Sequence, residues 1–431
     1  MSRQELADAC NAVLARTYAE RGGGQRWAGL TERTIGALER GEIRWPNENY
    51  RRALCVVLGA DERDIGLYID RPAEHGADFG KPESDFAPVR SDDDHDGLRQ
   101  SGAVPDALFT PDQWRARMWN SLLHPANAEP VSAHDLQAGV VYGNLAYQKA
   151  WYNELHQLPT LISRAEALFQ DAVSGTIPRA VKAVCGVYLL ASKFAAKLGD
   201  GELAWVTAER ARCFGLVAAD SLSVAMAAYQ TACALAKQPG RAAEAESVAA
   251  AAADVIATHK QHRTAAYLSA QGALLLHAAF SAALRRDSRA AGRYIQTADS
   301  VASQLGRNGN ELWTAFGPAN VHLHRISVAV ALDDNPTALG FADRMDTSQL
   351  PSVLTSRRAQ VHLDLAMAHG ASGNSDPQAT LHLLEYERIV PQAITLNATA
   401  GQLITTLIRR ERASQTPGLR SLAQRAGVAE A

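Results

Sequence analysis

The chain has 431 residues, 47% of them apolar, 21% charged and only 6% aromatic, with 43 lysines and arginines against 46 acids for a formal net charge of −3. That length allows roughly two to four domains with sizeable cores that need neither disulfides nor metals. The near-neutral balance excludes a uniformly basic nucleic-acid coat and a strongly acidic solvating chain, so any contact with nucleic acid must be a local feature.

Residues 1–69 read as a compact helical domain with ten arginines and ten acids. The opening MSRQELADACNAV carries acids early and no apolar run, which argues against a secretory signal. Ser2 and Glu5 form a capping-box pattern, and Leu6, Ala9, Val13 and Leu14 mark one face of a helix. After a turn at Gly22-Gly23-Gly24, Thr31 is the expected N-cap of a second helix with Ile35 and Leu38 facing inward, closed by Gly41. Pro46 opens a third helix with Tyr50, Leu54, Val57 and Leu58 on its buried side. Residues 70–106 hold ten acids against four bases and are rich in Pro, Gly and Asp, as an acidic flexible linker would be.

Residues 107–431 are helical in pattern, with no alternating strand run. Breaker clusters at Gly199–Gly201, Pro239–Gly240, Arg286–Ser288, Asp333–Pro336 and Gly373–Pro377 recur about every 40 to 47 residues. A long helix precedes each cluster and a shorter one follows it. That is the signature of an α-solenoid, because one helix pair cannot bury its apolar face alone. The period exceeds the roughly 34 residues of a strict tetratricopeptide repeat (TPR), so the units read as degenerate and TPR-like. The most membrane-like stretch, 265–284, holds Gln271 and His277 among many alanines and is expected as a buried helix rather than a membrane span. Five scattered cysteines without a C-x-x-C pair fit reduced thiols in a cytoplasmic protein.

QELADACN, LTERTIGALERG, IRWP and YRRALCVVLGA resemble the lambda-repressor-like (XRE-type) helix-turn-helix regulators. More narrowly, they are similar to a group from high-GC Gram-positive bacteria that joins this domain to a C-terminal TPR-like array. LAWVTAERA, AMAAYQTACAL, ELWTAFGPANVHLHRISVAVAL, RRAQVHLDLAMAH and TPGLRSLAQRAGV resemble that array. The resemblance implies an all-α chain in which Thr31–Arg40 is the recognition helix. Thr31, Glu32, Arg33 and Ala37 would then face bases, while Arg40, Arg44 and Asn47 would contact phosphates. Arg33 suits guanine O6/N7, Glu32 can accept from cytosine N4, and Ala37 offers only an apolar contact. Glu39 reads as structural, pairing locally with an arginine. Members of the fold carry a helix before the QELA helix, whereas this chain starts directly at Ser2. A misassigned start codon, a substitute from the long ARTYAERGGGQRWAG connection, or weakened DNA binding would each account for that.

No phosphate-binding loop, dinucleotide fingerprint, HExxH or nucleophile elbow occurs, so neither catalysis nor a metal or cofactor is expected. Nine positions before each breaker cluster stand Leu190, Gln230, His277, His324 and Asp364. The four polar residues make a candidate ligand groove on the concave side of the array. Trp313 and Phe316 read as core packing. The resemblance implies a transcription regulator that binds a double-stranded operator as a homodimer, with the array sensing a peptide, small molecule or partner protein. The alternative is a helical-repeat adaptor with a vestigial helix-turn-helix.

Overall fold

The structure is a computed structural model that describes residues 2–20, 30–39, 48–60, 110–124, 128, 131–172, 178–371, 373, 375–411 and 416–428. Among the described residues there are nineteen α-helices and no strand, so the protein is all-α. The chain divides into two compact units, Met1–Gly102 and Ala103–Ala431. The expected linker at 70–106 lies outside the described residues.

The first unit contains α1 (Arg3–Glu20), α2 (Glu32–Glu39) and α3 (Glu48–Leu58). Its capping box is formed: Ser2 Oγ accepts from the Glu5 amide at 3.2 Å, and Glu5 Oε2 accepts from the Ser2 amide at 2.6 Å. The fully buried line on α1 is Ala7, Cys10 and Leu14. Leu6 and Val13 flank it and Ala9 sits at its edge, so the expected stripe was centred about one residue off. Leu30, Ile35, Ala53 and Leu54 complete this core. Leu58 is 41% exposed rather than buried, because α3 ends there and turns out through Gly59 at φ +61°. The glycine turn, Gly41 and Pro46 lie outside the described residues.

The second unit opens with α4 (Pro111–Leu123), α5 (Ala133–Lys149) and α6 (Leu158–Ala172). Paired helices continue through α7 (Pro178–Lys197) and α8 (Gly201–Val217), α9 (Ser221–Ala236) and α10 (Ala242–Ala257), α11 (Ala265–Leu284) and α12 (Ser288–Leu305). The series then runs through α13 (Pro318–Ala331) and α14 (Asn335–Ala342) to α15 (Thr355–Gly370) and α16 (Asp376–Ile389). Helices α17 (Ala393–Leu396), α18 (Ala398–Arg410) and α19 (Leu419–Arg425) end the chain. All five breaker clusters fall between paired helices.

Four of the turns share one local cause. Gly199, Ala219, Arg286 and Asp333 have left-handed φ, and each is followed by an aspartate that starts the next helix. The amides of Asp200, Asp220, Asp287 and Asp334 each reach back five residues, to Ala195, Gly215, Ala282 and Ala329 carbonyls at 2.9–3.0 Å. Carboxylates of Asp200, Asp287 and Asp334 then take the amide three residues on. Helix end and helix start are thus satisfied in a single two-residue step.

Helices α5, α7, α9, α11, α13 and α15 form an inner layer in which each packs on the next, and α15 packs back on α5. At this seam the start of α15 meets the end of α5: the Tyr152 and Ser356 hydroxyls are 3.0 Å apart, and Gln392 Oε1 accepts from the Asn153 amide at 3.0 Å. One continuous core joins side chains of α4–α8 to those of α15–α19, so the first and last pairs are buried against each other. The even-numbered partners back the inner layer. Helix α11, the only described helix long and apolar enough to cross a membrane, is covered by α9, α10, α12 and α13. Phe316 is fully buried and lies flat on α11 over Gly272, as core packing requires.

Candidate functional site

Two places gather chemistry, one in each unit. On the first, Thr31 caps α2: its Oγ1 accepts from the Thr34 amide at 3.2 Å and lies 2.9 Å from the Thr34 hydroxyl. Its side chain is therefore engaged in holding the helix start. Glu32 and Arg33 follow and are both exposed, Arg33 on the side away from buried Ile35. The side chain of Ala37, and Arg40, Arg44 and Asn47 altogether, lie outside the described residues.

The position of α2 is fixed from both ends. Asn11 on α1 pairs with both main-chain groups of Leu30, donating to its carbonyl and accepting from its amide, each at 2.8 Å. Glu39 pairs with Arg3 at 2.7 Å, a partner thirty-six residues away rather than the local one expected from sequence.

The second place is the centre of the ring of inner helices. The aligned column lands one residue on each of α7, α9, α11, α13 and α15, but with different orientations. Leu190, Gln230 and Asp364 are 1%, 3% and 5% exposed, turned into contacts between helices. His277 and His324 are half-buried. Asp364 is held by the Ser327 hydroxyl and by Gln360 Nε2 at 2.8 Å, yet burial outweighs these donors and raises its carboxyl to about 6. Burial and the nearby Arg357 charge push His324 down to about 3. It is thus neutral, with Nδ1 against the Asn320 carbonyl at 2.9 Å.

His277 Nδ1 stands 3.7 Å from Cys233 Sγ, with the Tyr229 ring edge-on at 5.6 Å. Burial opposes charging either group, but their mutual attraction prevails, lowering the thiol and raising the imidazole. His277 Nε2 is enclosed without a hydrogen-bond partner among the described residues.

Sequence alignment missed the cations. Lys193 and Lys197 lie on α7, Lys237 just after α9, and Arg357 near the start of α15. Lys193 donates to Asn144 Oδ1 at 2.9 Å and sits 5.4 Å from the centre of the Tyr147 ring, and Lys197 sits 5.7 Å from that of Tyr152. Burial, with Arg357 repelling it, pulls Lys193 down to about 7. Burial likewise lowers Lys237, with Lys197 adding to the effect. Lys193, Lys197, Arg357, Tyr147 and Tyr229 each keep part of their surface open, and Lys237 is exposed. These groups are partly enclosed by protein yet still reach solvent. Elsewhere in this unit cations meet acids, as in Arg115–Asp200, Lys182–Asp220, Arg286–Asp333 and Arg425–Glu387. Here the coupled carboxylate is Asp364 alone among the described residues, and it is already committed to Ser327 and Gln360.

A signal for these cations was present: only seven lysines occur in the chain, and three of them are Lys193, Lys197 and Lys237. Two shallow surface depressions, of about 510 and 530 Å³, lie between α4 and α6 and along the α5–α15 seam. Neither assembles comparable chemistry. No family model matches the chain, and no curated protein or solved structure matches it.

Proposed function

We propose that the chain is a one-component transcription regulator in which α2 enters the major groove of duplex DNA and the ring of paired helices, taken as TPR-like units, senses an effector. The observation that carries this reading is the first turn of α2. There Glu32 and Arg33 stand exposed while Asn11, Arg3 and Ile35 fix the helix behind them. An arginine presented on a rigid helix start can donate two parallel hydrogen bonds to guanine, and Glu32 can accept from cytosine. The likeness of residues 2–60 to XRE-type regulators supports the same assignment. The active form in this reading is a homodimer in the cytoplasm whose two α2 helices reach successive grooves about 34 Å apart. Effector uptake in the ring shifts the spacing of the two protomers and hence operator affinity.

The test is retention of genomic DNA fragments by the purified chain over a range of salt. A small set of fragments should be retained selectively, and Arg33→Ala should weaken that set by about 5- to 150-fold, the span of one bidentate base contact at 1–3 kcal/mol. Equal, weak retention of all fragments, lost at moderate salt and indifferent to Arg33→Ala, overturns the proposal. It would leave the helical adaptor as the better description.

A further inference from the structure

We propose that the centre of the ring binds a small organic polyanion, one bearing two or more carboxylate or phosphate groups, held by Lys193, Lys197, Lys237 and Arg357. This rests on the ring being the sensing part of the protein and names the chemistry of what it senses. Three independent observations point to it. Lys193 is repelled by Arg357 and Lys237 by Lys197, and the carboxylate coupled to Arg357 and Lys197, Asp364, is already engaged by Ser327 and Gln360. Burial and the repulsion of like charges brought together inside protein lower Lys193 and Lys237, and an anion bound among them would restore their charge. Second, these side chains are reachable: Lys193, Lys197 and Arg357 are half-buried and Lys237 is exposed, so an occupant can touch all four. Third, His277 Nε2 is enclosed without a partner in the same region, while its Nδ1 faces Cys233 at 3.7 Å. When Nδ1 accepts from the Cys233 thiol, Nε2 carries the ring hydrogen and is a further donor to an anion.

The walls limit the occupant. Lys193 lies over the Tyr147 ring and Lys197 over the Tyr152 ring beside the α5–α15 seam, and the Tyr229 and His277 rings pack on each other. Lys193 and Lys197 stand one turn apart on α7, while Lys237 follows α9 and Arg357 is near the start of α15, so the charges come from separate elements. That arrangement fits a compact molecule with several acidic groups better than an extended acidic peptide, which needs a linear strip. Lysines supply movable point charges, and Arg357 supplies a planar fork suited to one carboxylate or phosphate.

Calorimetric titration of the full chain, without DNA and at matched ionic strength, tests this with two probes. Pyrophosphate represents phosphate and citrate represents carboxylate, with sodium chloride as the control. At least one probe should bind saturably at one site per chain. Binding should be at least tenfold weaker in the Lys193→Met/Arg357→Met double variant, which should fold because it removes repelling charges. Lys237→Gln, at the exposed position, should weaken binding several-fold and serves as the independent variant. Preference for pyrophosphate or citrate identifies the acidic group recognised. Absence of saturable binding by either probe, or unchanged binding in both variants, overturns the proposal. Because the titration contains no DNA, that failure is separate from failure of selective DNA retention.

Discussion

Replacing Gly272 by alanine puts a methyl group where a ring already is. An ideal Cβ on Gly272 lies 1.9, 2.1 and 2.4 Å from three atoms of the Phe316 ring, against an ordinary carbon contact of about 3.5–4.0 Å. No rotamer change at alanine is available, so either Phe316 leaves its place or α11 moves away from the segment before α13. Phe316 is fully buried, and its segment carries Leu312, Trp313 and Ala315 at positive φ, which leaves that backbone little room to slide. Overpacking of this kind costs about 1–3 kcal/mol, and expelling the ring entirely costs about 3–5 kcal/mol. Alanine's better helix propensity returns about 1 kcal/mol. With the Cβ only 1.9 Å from the ring, expulsion is the expected route, and the net loss is about 2–4 kcal/mol in the second unit. Urea denaturation followed by helical circular dichroism measures it. The double variant with Phe316→Ala should be no less stable than Phe316→Ala alone, since the clash is then gone. A Gly272→Ala protein as stable as the parent, or losses that simply add in the double variant, would refute the reasoning.

Two further expectations concern the ends of the argument from burial and charge. Asn11→Ala removes two 2.8 Å hydrogen bonds and leaves both main-chain groups of Leu30 unpaired, which should cost about 1–3 kcal/mol. Hydrogen exchange should report faster opening at Leu30 and the start of α2, and unchanged protection there would contradict that role. Lys193 is held near 7 in the folded chain against 10.5 when free, so the unfolded state binds more protons between those values. Stability of the ligand-free chain should therefore rise as pH increases from about 7 towards 10.5. Lys193→Met should flatten that rise and melt higher at pH 7; a thermal profile with the same slope in both proteins would exclude Lys193 as its source.

What the sequence disclosed depended on how far apart the interacting residues lie. The Ser2–Glu5 capping box, the Thr31 cap and the turns between helices are set by neighbours a few residues apart, and each is legible as a short pattern. Glu39 shows the limit: its need for an arginine was evident, but the partner, Arg3, comes from another helix. The ring centre lies further beyond reach. Aligning helices on their ends tolerates no error, because each residue of misregister turns a side chain by about 100°. The column thus caught His277 and His324 on the inner side but placed Gln230 and Asp364 in helix contacts. Lys193 stands three residues beyond Leu190, on a position the alignment did not sample. Closure of α15 on α5 sums small rotations over six helix pairs, and no local pattern encodes that sum.

That closure changes what kind of object the helix array is. An open stack frays from its ends, and its units can be removed or duplicated one at a time with a roughly additive effect on stability. Here the terminal pairs are each other's caps, because α4–α8 and α15–α19 share a core. The number of pairs is then fixed by geometry: one more would part the seam and one fewer would leave it short. Loosening either side of the seam exposes apolar surface on both, so melting becomes collective and the array has no weakest end from which to begin.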